Sequence, residues 1–78
     1  MPKIVPIDYR KLIQVFEAEG FTVSRTKGDH ISMTKPNVKR PLVIKTSPRK
    51  VAVTHIRTNL TTAGISRDRY FELVEKVK

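Results

Sequence analysis

Cysteine is missing from this sequence, and with it go disulfide bridges, thiolate zinc sites, cysteine nucleophiles and thiol redox chemistry. Histidine is scarce: His30 and His55 are the only two, a poor basis for a tightly held metal. No Gly-rich phosphate loop, HExxH pattern or acidic cluster is written into the chain, so nucleotide- and metal-dependent enzyme classes find no support. Neither a cofactor nor a metal is expected. No apolar run approaches the length of a signal-peptide core or a membrane span, and the expectation is a soluble, intracellular, cytoplasmic protein. At 78 residues the chain holds one small domain with a modest core, and any active site should be shallow.

Acidic residues are scarce in one region only. Between Arg25 and Arg57 there are nine basic residues (Arg25, Lys27, Lys35, Lys39, Arg40, Lys45, Arg49, Lys50, Arg57) and a single acid, Asp29, so this stretch supplies +8 of the net +9. The flanks are nearly balanced. A regional field of one sign, in a chain of pI near 10.4, points to a polyanionic partner and favours nucleic acid over a merely solvated surface.

The apolar pattern sets the architecture. From Asp8 to Glu19, Tyr9, Leu12, Ile13 and Phe16 share one helical face. Asp8 reads as the N-cap, with Ile7 stapled onto Leu12, while Gly20 supplies the left-handed residue that lets Phe21 fold back on Phe16. The period then becomes two. FTVSRT and HISMT alternate on either side of the Lys27-Gly28-Asp29 turn and read as a hairpin. KPNVKR is a turn, PLVIKT a third strand and SPRK a basic connector. Val53, Ile56, Leu60 and Ala63 return to helical spacing in a threonine-rich segment that packing must hold. Gly64 ends it, and Ser66 caps a short final helix striped with Tyr70, Phe71, Val74 and Val77.

The expected fold is therefore α+β, in the order α-β-β-β-α with a short C-terminal helix. A three-stranded antiparallel sheet would bury Phe21, Val23, Ile31 and Met33 against helices on one face. Strict alternation leaves Thr22, Ser24, Thr26, His30, Ser32 and Thr34 on the open face. A histidine there is suited to take a proton from a ribose 2′-hydroxyl or give one to a leaving 5′-oxygen. Lys27, Arg25 or Lys35 would neutralise charge on the attacked phosphate. Asp29 is assigned to the turn rather than to the histidine, because neighbours in an extended strand point apart. His55, off the apolar stripe, reads as a solvated helix residue without a role.

These residues resemble the HicA toxins, small RNA-cleaving proteins of HicA–HicB toxin–antitoxin pairs. KLIQVFEAEGFTVSRTKGDHISM looks like the family's first helix, its Gly-Phe junction and its hairpin. RPLVIKT and VTHIRTNLTTAGISRDRYFELV resemble the third strand, the second helix and its Ala-Gly-Ile-Ser ending. The likeness covers nearly all of residues 1–78 as a single domain. It implies a fold similar to the double-stranded-RNA-binding domain, metal-independent cleavage of mRNA, and neutralisation by a HicB-type antitoxin that covers the active face. It assigns the catalytic histidine to His30 and the turn glycine to Gly28, with Asp29 where serine is common. The expected RNA-binding set is Arg25, Lys27, Gly28, Lys35, Lys39, Arg40, Lys45, Arg49 and Lys50.

Two other readings compete. A non-catalytic module would hold A-form RNA by shape and phosphate contacts, with SPRK ahead of the second helix as its basic element. A DNA reader would use Val53 to Val74 as a helix-turn-helix presenting Arg67, Arg69 and Tyr70. The charge sits on strands and connectors rather than on the last helix, which ranks DNA third.

Overall fold

The computed structural model describes residues 3–77; residues 1, 2 and 78 of the expected 1–78 domain lie outside the described residues. In chain order the elements are β1 (Ile7–Asp8), α1 (Tyr9–Ala18), β2 (Thr22–Lys27), β3 (His30–Thr34), β4 (Leu42–Lys45), β5 (Lys50–Val51), α2 (Val53–Ala63) and α3 (Arg67–Lys76). The antiparallel order β2-β3-β4 and the three helices give the expected α+β fold. A second, two-stranded ribbon pairs Ile7 with Val51 and Asp8 with Lys50. Strands of two residues carry no alternation, so the sequence gives no sign of them.

Local chemistry sets the helix ends. Asp8 caps α1, its Oδ1 accepting the Arg10 N–H at 2.9 Å. That backbone donor, helped by the Arg10 guanidinium, holds the Asp8 carboxyl below the usual aspartate range. At the other end Gly20 takes φ +102°, and the Phe21 and Gly20 N–H groups donate to the Phe16 and Glu17 carbonyls at 3.0 Å each. This doubly bonded stop turns the chain so that Phe21 meets Phe16 edge-on, ring centroids 5.8 Å apart. Gly64, at φ +71°, ends α2. Ser66 caps α3, its Oγ accepting the Arg69 N–H at 3.1 Å.

The core gathers Leu12, Val15 and Phe16 from α1, Met33, Leu42 and Ile44 from the sheet, Ile56 and Leu60 from α2, and Tyr70 and Leu73 from α3. α1 packs on α3, and Arg69 of α3 reaches Glu19 at 3.0 Å. The final helix is ten residues long, and its stripe adds Tyr70 and Leu73 to the core. α2 lies beside β4, and the Asn59 Nδ2 donates to the Val43 carbonyl at 3.1 Å. The helix thus closes the edge of β4, where a free carbonyl would otherwise invite another strand. Asn59 is buried at 6% exposure, which makes this bond part of the core.

One expectation about the sheet needs correction. β2 pairs with β3 through Val23↔Met33 and then Arg25↔Ser32, so Ser24 is an extra residue in a β-bulge. Beyond it the parity flips: Arg25 and Lys27 join the open face opposite Ser32 and His30, and Thr26 moves to the core side opposite Ile31. Val23 does lie on the core side but stays 44% exposed, since the helices pack chiefly on β4 and leave β2 as a charged outer edge.

Candidate active-site groove

Gly28, at φ +57°, makes the tight turn that returns the chain from β2 to β3 and places His30 at the head of the central strand. His30 sits opposite Lys27 on one side and Lys45 on the other. Directly opposed residues of an antiparallel pair share a face, so an imidazole is flanked by two ammonium groups in one row across the sheet. Arg25 and Ser32 form the next row, with Val43 beyond.

Asp29 does more than shape the turn. Its Oδ1 lies 2.9 Å from His30 Nδ1, because at the turn itself the alternation that would part the two side chains has not begun. The contact engages Nδ1 and leaves Nε2 as the ring nitrogen that faces away from the carboxylate. The Asp29 carbonyl in turn accepts the Thr46 N–H at 2.8 Å and the Thr46 hydroxyl at 3.3 Å. The hairpin tip is thereby tied to the end of β4. Both side chains of the pair are about half exposed, His30 at 48% and Asp29 at 52%, and so open to solvent.

His30 opens onto a groove of about 410 Å³. Its sheet wall is His30, Val43 and Lys45, its end Arg40 and Pro41, and its far wall His55, Thr58, Asn59 and Thr62 of α2. Those four lie at i, i+3, i+4 and i+7, so one polar stripe of the helix faces the strand. Val43, 45% exposed, forms an apolar patch in the sheet wall. Past Lys45 and His55 a smaller cleft of about 130 Å³ continues, lined also by Ser47, Pro48, Lys50 and Val51. His55 is exposed on α2, as expected of a residue off the apolar stripe, but the sequence reading did not place it in a groove wall. Its signal was the stripe of polar residues opposite the apolar one, visible only once the sheet is known to stand across from it.

The expected RNA-binding residues divide. Lys27, Lys45, Arg25 and Gly28 surround His30 on the hairpin and sheet; Arg40 lines the groove and Lys50 the smaller cleft. Lys39 is exposed in the loop before β4. Lys35 stands at the other end of β3, about 17 Å along an extended chain from His30, with its ammonium 5.6 Å from the centroid of the Phe21 ring. The Arg49 Nε donates to Asp8 Oδ2 at 2.8 Å, which ties the connector before β5 to the cap of α1. On the last helix Tyr70 is buried, and Arg69 is held by Glu19 and Glu72, which push its pKa up further. A DNA-reading helix would have to present both.

Among the described residues no group of three or more His, Cys, Asp or Glu side chains that could hold a metal ion is assembled, and no helix is long and apolar enough to cross a membrane. Neither the curated proteins nor the solved structures compared with the chain match it. The model of the HicA toxin of bacterial toxin–antitoxin systems does match, over residues 9–65, from the start of α1 to the turn after α2. That span contains the whole His30 row and both walls of the groove, and the chain belongs to the HicA toxin family.

Proposed function

We propose that this toxin is a metal-independent endoribonuclease that cleaves mRNA in the cytoplasm, with His30 as its general acid or base, and that a HicB-type antitoxin silences it by covering the groove. The observation that carries the proposal is the Lys27–His30–Lys45 row. In cleavage by internal attack, a ribose 2′-oxygen loses its proton and bonds to phosphorus while the bond to the 5′-oxygen breaks. The products are a 2′,3′-cyclic phosphate and a 5′-hydroxyl. Negative charge builds on the phosphoryl oxygens, and two ammonium groups beside the imidazole would stabilise it in place. His30 would move the proton through Nε2, with Asp29 holding the ring by Nδ1. Such proton transfer contributes roughly 10²- to 10⁴-fold in rate.

The geometry favours this reading over a double-stranded-RNA-binding module without catalysis. That alternative leaned on SPRK ahead of α2, and in the fold Arg49 of that segment is engaged by Asp8. The test is cleavage of a labelled single-stranded RNA, in chelator, by the wild type and by His30→Ala, each shown to be folded. Cutting by the wild type and about 10²-fold or greater loss in the variant support the proposal. Equal binding of RNA with no cutting by either would instead leave a binding module.

A further inference from the structure

We infer that His55 is the second proton-transfer residue of the groove, acting on the same phosphodiester as His30 from the opposite wall. The inference rests on the RNA-cleaving reading above and adds to it the partner that a single histidine lacks. Internal attack needs two proton transfers on opposite sides of phosphorus, one from the 2′-oxygen and one to the leaving 5′-oxygen. One imidazole on one wall serves only one side at a time. The groove has histidines on both walls, His30 on the strand and His55 on α2.

Position strengthens the pairing. His55 and Lys45 line both the main groove and the smaller cleft, so a strand passing along this trough crosses them. His55 lies in the first turn of α2, after an N-cap position held by Ala52, which has no side chain able to cap. The positive end of the helix dipole thus stands beside the imidazole, where a phosphate is favoured. The charged groups around the two histidines are Asp29 on His30, Lys27 and Lys45 in the sheet, Arg40 at the groove's end, and Lys50 across the smaller cleft. Apart from Asp29 they are cationic and suit a bound phosphate rather than a competing carboxylate.

In the step proposed, the neutral imidazole takes the 2′-hydroxyl proton as the O2′–P bond forms. The protonated imidazole gives its proton to the 5′-oxygen as the P–O5′ bond breaks. Nothing else is consumed.

The experiment is the pH–rate profile of RNA cleavage by wild type, His55→Ala, His55→Gln and His30→Ala, with thermal melts to show that each is folded. The wild type is expected to give a two-limbed profile. Each His55 variant is expected to lose one limb and about 10²-fold or more in rate at the optimum, with RNA affinity changed far less. A substrate with sulfur in place of the leaving 5′-oxygen, which departs without a proton, identifies which limb is lost: it restores the His55 variants if His55 is the acid and not if it is the base. A two-limbed profile retained in His55→Ala, or a wild type with one limb, overturns this inference and leaves His30 standing. A wild type that binds RNA and does not cut it removes both.

Discussion

Asp29 and His30 are neighbours in sequence, and their pairing decides which ring nitrogen stays open. Because Nδ1 is engaged, Asp29→Ala should release the ring without removing it, lowering the cleavage rate on the order of tenfold, less than His30→Ala does. Rate constants at saturating RNA check this, since a defect confined to affinity would contradict it. Lys27 and Lys45, one on each side of His30, are expected to contact phosphate. Replacing either with alanine should flatten the plot of log affinity against log salt by about 0.7, the single-strand value for one contact. Lys35→Ala, far along β3 and stacked on Phe21, should leave that slope unchanged. At this scale the sequence was partly legible. A histidine after a glycine turn in a basic segment could be read directly. The Asp29 contact could not, because alternation describes strands and fails at the turn where the two residues meet.

The bulge at Ser24 puts Arg25 and Lys27 on the open face of the sheet with His30. Deleting Ser24 removes the extra residue while Arg25 and Lys27 keep their places opposite Ser32 and His30, so the salt slope should change by less than about 0.7, one contact's worth. Asn59 is the other device at this scale, joining α2 to the edge of β4. Asn59→Leu leaves the Val43 carbonyl without its donor and should cost about 1–3 kcal/mol in denaturant unfolding, with the groove wall loosened and cleavage reduced. Helices and the three long strands were readable from periodicity, and their caps from single residues such as Asp8, Gly20 and Ser66. A bulge leaves no mark in a run like TVSRTK, where every residue is exposed and no apolar partner fixes the register. The polar stripe of α2 was readable as a pattern, and its meaning depends on the strand it faces.

The whole molecule is a small core with a groove on its outside, between β4 and α2. Ile44→Ala, at a position with no exposure, should destabilise by about 2–5 kcal/mol, a large part of what a chain of this size has. Its pH dependence follows from two groups. Asp8 is held below the ordinary aspartate range in the fold. Its contribution is therefore present above the unfolded-state pKa and lost as pH falls through the folded one, and Asp8→Asn should flatten the acid limb of Tm against pH. Tyr70 has the opposite sign: burial raises its pKa, so its contribution holds below the unfolded tyrosine value and disappears in strong alkali. Neither group touches the groove, so stability and cleavage should follow different pH curves. Cutting of RNA at this groove is proposed to run by attack of its own 2′-oxygen. Its most direct test is to map a cleavage site and offer the wild type the same RNA with a single 2′-deoxy substitution on the nucleotide 5′ of the scissile bond. No cutting is expected there, with 2′,3′-cyclic phosphate and 5′-hydroxyl ends on the unsubstituted RNA. Cutting of the substituted strand, or products with 5′-phosphate ends, would contradict it.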